Sequence, residues 1–287
     1  MNPRSVIQLA ALAVCFSCTS GGDRSGPYRA VKGAWVYSIA QHADSLYFST
    51  LESGIFRFHP DRPGAVQRVA GYRRMPFRTL CFDEKSRLLA SSYYAGVFAA
   101  AADTMVPVRW AQRPAWAMRL DEQNRMWLAC DQGVFRQRGD SLVRFCSVWD
   151  AHDVAFFHGR VAVASMRGIS LYESETGSLV KQYAPGLVCW SVTSYDSLLI
   201  GGGVERCLVI SRKGCREIRF GPHGNILWGT ALRNDTLHLA TQRGVYQAGL
   251  SDTIANLAGF NNICVKSVFV DAKGRLWAAC FAKPARW

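Results

Sequence analysis

One pattern recurs seven times along the chain: an apolar strand, a polar turn, a second apolar strand, a short loop, and a Gly or small residue opening a third strand. The first apolar residues of the second strands are Leu46, Leu88, Met126, Val161, Leu198, Leu237 and Leu276, at intervals of 42, 38, 35, 37, 39 and 39 residues. A period near forty, built from short strands, predicts four-stranded propeller blades. Helical solenoids have similar periods, but Asp196-Ser197, Asn234-Asp235 and Lys273-Gly274 are hairpin turns. The strands are rich in β-branched and aromatic residues, and no later segment keeps a helical period. The fold class predicted is therefore all-β, a seven-bladed β-propeller.

Six of the repeats have a candidate fourth strand, such as Ala65–Val69 and Cys215–Phe220. The seventh has none, and Tyr28-Arg29-Ala30-Val31, ahead of the first repeat, is expected to close that blade. Closure removes a free sheet edge that would invite aggregation. A chain of 287 residues fits one closed all-β domain, expected over residues 28–287.

The units resemble the two-component-regulator propeller repeat. The resemblance rests on Gly274-Arg275-Leu276-Trp277-Ala278, on Asn124-Arg125-Met126-Trp127-Leu128-Ala129 with Gly133-Val134, and on Thr236–Thr241 with Gly244-Val245. It implies a periplasmic sensor-type region that recognises a carbohydrate-derived ligand. Within these 287 residues there is no second propeller, transmembrane helix, kinase or DNA-binding segment.

Residues 1–18 read as a leader. Arg4 supplies positive charge, and Val6–Phe16 form an apolar run of eleven residues, too short to span a bilayer as a helix. The end of that run, with Ser17 before Cys18, resembles a bacterial lipobox, which makes Cys18 the candidate lipidated residue. Ordinary cleavage near Ser20 fits the same layout. Residues 19–27 would form a tether, and the protein is expected to be exported, either lipid-anchored or periplasmic. Eight cysteines remain in the body and none forms a CxxC pair, so metal-ribbon and redox motifs are not expected. They are expected to be mostly buried free thiols, although Cys207 and Cys215 lie close enough in sequence to pair.

The inner strands of a propeller line its axis. At their starts the sequence places Trp35, Phe77, Trp116, His152, Trp190 and Trp228. These aromatics could form a stacking surface at one channel mouth, or could pack between blades. Arg74, Arg113, Arg167, Arg206 and Arg243 fall in the neighbouring loops, and Arg suits carboxylate, sulfate or phosphate. The formal net charge of +13 also favours an anionic partner. The expected partner is a carbohydrate or anionic ligand, or alternatively a protein; nucleic acid is not expected, and a membrane only through the lipid anchor.

A streptogramin-lyase-like propeller is the competing enzyme class. It would need a His base beside metal-binding carboxylates, and only His152 with Asp150 and Asp153, or His223 with Glu205, qualify by position. No nucleophile elbow, HExxH or P-loop occurs. No catalytic residue, metal or cofactor is assigned.

Overall fold

Short apolar alternation gives strands throughout and no helix among the described residues, which in this computed structural model are 14–16, 28–29, 36–51, 54–70 and 75–281. The first unit shows the plan: strands Val36–His42, Ser45–Thr50, Ile55–His59 and Arg62–Ala70 pair antiparallel in that order. The same plan starts again from inner strands Thr79–Phe82, Ala117–Leu120, Ala151–Phe157, Cys189–Tyr195, Leu227–Arg233 and Cys264–Val270. The sheets opened by Cys189–Tyr195 and Leu227–Arg233 are joined at their outer strands, where Arg219 and Phe220 run parallel to Ile254 and Ala255.

The core lies between sheets. Trp127 and Val134 of one sheet pack on Val154, Val161 and Tyr172 of the next. Leu46, Phe48 and Phe58 of the first sheet pack on Trp277 and Ala279 of the last, with the Phe58 and Trp277 rings 5.0 Å apart. Arg275 and Lys273 also bind Asp61 across that junction. First and last sheets therefore meet directly, and the result is a propeller ring of four-stranded antiparallel blades.

The repeat residues have identifiable tasks. In three units an Asp ends the inner strand and an Arg follows four residues later. Asp121 Oδ1 accepts the N–H groups of Gln123 and Arg125, while Oδ2 accepts Arg125 Nε at 2.7 Å and Trp127 Nε1 at 2.8 Å. Asp271 does the same with Lys273, Arg275 and Trp277, and Asp83 with Lys85 and Arg87. Burial opposes the charge of these carboxylates, yet the donors outweigh it and hold each pKa below the ordinary value. The Arg and Trp of the repeat are thus a clasp on the first hairpin. The Gly that opens a third strand is required for two reasons: Gly168 has φ +88°, and a Cβ there would lie 2.2 Å from the Tyr183 carbonyl oxygen.

The last sheet departs from expectation. Its order is Cys264–Val270, Leu276–Phe281, Val14–Phe16 and Tyr28–Arg29. Tyr28–Arg29 takes the outermost place, but the third strand is supplied by residues expected in the leader, with Val14 opposite Ala278 and Phe16 opposite Leu276. Cleavage at Cys18 and this third strand exclude each other. Cys18 itself lies outside the described residues.

Of the eight body cysteines, Cys130, Cys146, Cys189, Cys207 and Cys280 are buried. The register sets Cys207 opposite Ile218 and Cys215 opposite Ile210, so the two are not cross-strand neighbours.

Candidate functional site

Each inner strand carries an extra residue at or next to its start. In five of them the ladder skips a residue: Tyr37, His152, Trp190, Trp228 and Lys266. In the other two, Arg78 and Trp116 donate to Ser91 O and Ala129 O, carbonyls of the residues already opposite Thr79 and Ala117. A β-bulge of this kind re-aims one side chain while its neighbours keep packing. The residue before the bulge is buried in every case: Val36, Phe77, Ala115, Ala151, Cys189, Leu227 and Val265. The bulge residues all line one cavity of about 340 Å³ where the inner strands converge.

Half of that mouth is aromatic. His152 stacks on Trp190 with centroids 4.0 Å apart and planes at 17°. Trp228 lies 5.4 Å from Trp190, and Trp116 meets both His152 and Trp190 edge-on at 5.6 and 6.0 Å. Trp116 is fixed from behind: its indole N–H donates to Asp131 at 2.6 Å, Tyr93 O–H donates to the same carboxylate at 3.2 Å, and the Tyr93 ring sits 4.2 Å away.

The other half is cationic. Lys266 Nζ sits 3.1 Å from the centroid of the Trp228 ring. The Arg78 guanidinium lies 4.5 Å from the Trp116 ring centroid and 5.6 Å from that of Tyr37. Tyr37 stands between the two cations in ring order and meets Phe281 edge-on at 4.8 Å. Burial pushes the Lys266 pKa down to about 8, with Arg78 adding to the push and Cys264 opposing it. Among the described residues no carboxylate pairs with either Lys266 or Arg78.

Further along the inner strands, an ion pair between buried Asp153 and partly exposed Arg119 ties three of them. Arg119 Nη2 lies 2.9 Å from Asp153 Oδ1, and Asp153 also accepts the N–H groups of Val154 and Val192. Burial raises the Asp153 pKa against the pull of Arg119 and these donors. Several polar atoms of the mouth remain orphaned among the described residues. His152 Nδ1 bonds Cys189 O at 2.7 Å, while its buried Nε2 lies 3.3 Å from Asp150 Oδ2 and makes no hydrogen bond. Trp190 Nε1 and Ser191 Oγ are likewise buried without a partner, and Trp228 Nε1 has only the Cys264 thiol beside it. Orphaned buried polar atoms are rare and call for an explanation, of which a bound ligand or water is one.

The sequence-predicted residues divide into three groups. Trp116, His152, Trp190 and Trp228 come together in the cavity. Phe77 does not: it is fully buried against Phe98, 5.5 Å away, because it holds the position before the bulge. Trp35, Arg74 and Cys18 lie outside the described residues. The remaining arginines stand off the cavity, each with its own task. Arg113 stacks on Phe135 and donates to Gln132. Arg206 pairs with Glu217 at 3.5 Å. Arg167 and Arg243 occupy turns capped by Ser165 and Thr241. Of the candidate bases, His152 reaches the cavity, whereas His223 is fully exposed and pairs with Glu205 at 3.2 Å.

Sequence reasoning missed Tyr37, Arg78 and Lys266. The signal was available as a buried residue, a variable one, and then a small or polar one: Val36-Tyr37-Ser38, Phe77-Arg78-Thr79, Val265-Lys266-Ser267, as in Cys189-Trp190-Ser191.

No family model matches the chain, and no curated protein matches it. Solved structures do. The extracellular domain of the BT4673 system of B. thetaiotaomicron, described in its two structures as a one-component and a hybrid two-component system, aligns with TM-scores of 0.70 and 0.68. Identities are 15% and 13%; the matches cover 97% and 85% of this chain but only 44% and 40% of those structures. The catalytically inactive virginiamycin B lyase of Staphylococcus aureus, bound to quinupristin, aligns at 0.68 with 8% identity, over 87% of this chain and 96% of that one. The WD40 propeller domain of Doa1 aligns at 0.66 with 14% identity, over 88% and 95%. At these identities the likeness establishes a β-propeller and nothing narrower.

Proposed function

We propose that this chain is an exported, sensor-type seven-bladed propeller that binds a carbohydrate or anionic ligand at one mouth of its axial channel. One observation carries the reading: the bulge residue of every inner strand lines a single cavity, where buried polar atoms of His152, Trp190 and Ser191 make no hydrogen bond among the described residues. Clustered aromatic rings suit the faces of sugar rings, and the orphaned N–H and O–H groups suit hydroxyl oxygens. The likeness to the extracellular domain of the BT4673 system agrees with export, which the apolar leader also favours. Under this reading the protein is tethered through Cys18 or free in the periplasm.

The test is a glycan array probed with the full chain and with Trp190→Ala. Selective, salt-tolerant capture that the substitution abolishes supports the mouth as the site. Binding only to every polyanion alike, lost in salt, would turn the reading toward a protein-interaction platform.

A further inference from the structure

Arg78 and Lys266 flank Tyr37 in the ring of bulge positions and face the same cavity. The Arg78 charge adds to the burial that disfavours the Lys266 charge. Both are more than half buried, both lie against aromatic faces, and among the described residues neither has a carboxylate. Among the described residues the only carboxylate lining the cavity, Asp153, is committed to Arg119 and two N–H groups. Two buried like charges without a counterion are costly to keep unless something neutralises them.

Resting on the mouth reading above, we infer that Lys266 and Arg78 form an oxyanion subsite, so that the ligand carries one compact carboxylate or sulfate there and lays its ring on Trp190 and Trp228. Arg78 offers a planar fork and Lys266 a point charge, a pairing that suits a small oxyanion better than a diffuse polyanion. The aromatic arc then accounts for the rest of the cavity. An acidic sugar has both parts.

The subsite is tested with inorganic sulfate, titrated against the full chain at constant ionic strength and read by tryptophan fluorescence, since Lys266 rests on Trp228. The expected result is a saturable change that weakens roughly tenfold or more in Lys266→Met and in Arg78→Met and persists in Lys266→Arg. Removing a buried charge and keeping its stem leaves the fold intact, which thermal melting confirms. Binding also weakens as pH rises from 7 to 9.5, because Lys266, faced by Arg78 and Cys264, loses its proton in that range. No saturable response, or an equal response in Lys266→Met, overturns the subsite. On the glycan array, loss of capture in Trp190→Ala with undiminished capture in Lys266→Met keeps the mouth and removes the oxyanion; indifference to both substitutions removes the mouth itself.

Discussion

The two halves of the channel mouth are built from one backbone device and do opposite things. From Trp116 through His152 and Trp190 to Trp228 the bulge presents rings that touch one another. From Lys266 through Tyr37 to Arg78 it presents cations separated by a phenol. Both halves sit on the same layer of buried residues, from Val36 round to Val265. The bulge position is therefore free of the packing between sheets that fixes its neighbours, and its identity varies from ring to cation. The recurring Asp, Arg and Trp of the repeat have the converse role: the Asp121–Arg125–Trp127 and Asp271–Arg275–Trp277 clasps hold hairpins and do not line the cavity.

The largest test of the aromatic half is Trp116→Ala with Trp190→Ala. At about 2 kcal/mol or more for each buried anchor, affinity for the best-binding glycan should fall by at least ~100-fold. Isothermal titration measures this, and an unchanged affinity in a folded double variant would mean that these rings only pack.

A smaller effect concerns the floor that both halves share. Asp153→Asn leaves Arg119 without its counter-charge, and should lower stability by about 2–3 kcal/mol, discounted because Arg119 reaches solvent. Denaturant unfolding reads it. A neutral result would show that the ion pair does not join the three inner strands.

The cationic half predicts a pH dependence of stability. Lys266 titrates at about 8 in the folded protein against 10.5 in the unfolded chain, so between those values the unfolded state binds more protons and wild-type stability rises with pH. Lys266→Met should melt a few °C higher at pH 7, and the gap should close as pH rises from 8 toward 10.5. A gap that stays constant across that window contradicts the buried position of the ammonium group.

The smallest expected effect sharpens the contrast. Arg167→Ala and Arg243→Ala remove loop charge without touching the cavity, and affinity should stay within about twofold. A large loss would relocate the site to the outer loops.

How far the chain could be read follows from the same division. The hairpins were legible because Asp196-Ser197 or Asn234-Asp235 between apolar runs has few alternatives, and the repeat made each reading support the next. Trp116, His152, Trp190 and Trp228 were legible because an aromatic at a strand start stands out. Tyr37, Arg78 and Lys266 were not, since a bulge shifts the alternation by one residue and turns an apparent strand-start aromatic such as Phe77 into core. The arginines named from loops proved to be spread around turns because net charge carries no information about direction. The leader and the third strand of the last sheet draw on the same residues, 14–16, and local sequence cannot decide between an apolar signal and an apolar strand.

The central claim is that the ligand occupies the mouth, and the indole N–H resonances test it directly. In a spectrum of the ¹⁵N-labelled protein, adding the best-binding glycan should shift the Trp190 and Trp228 signals. Those of Trp127 and Trp277, locked to Asp121 and Asp271 in the clasps, should stay in place. Unmoved Trp190 and Trp228 signals, with a shift instead at Trp149 on the outer surface, 64% exposed, would contradict the account.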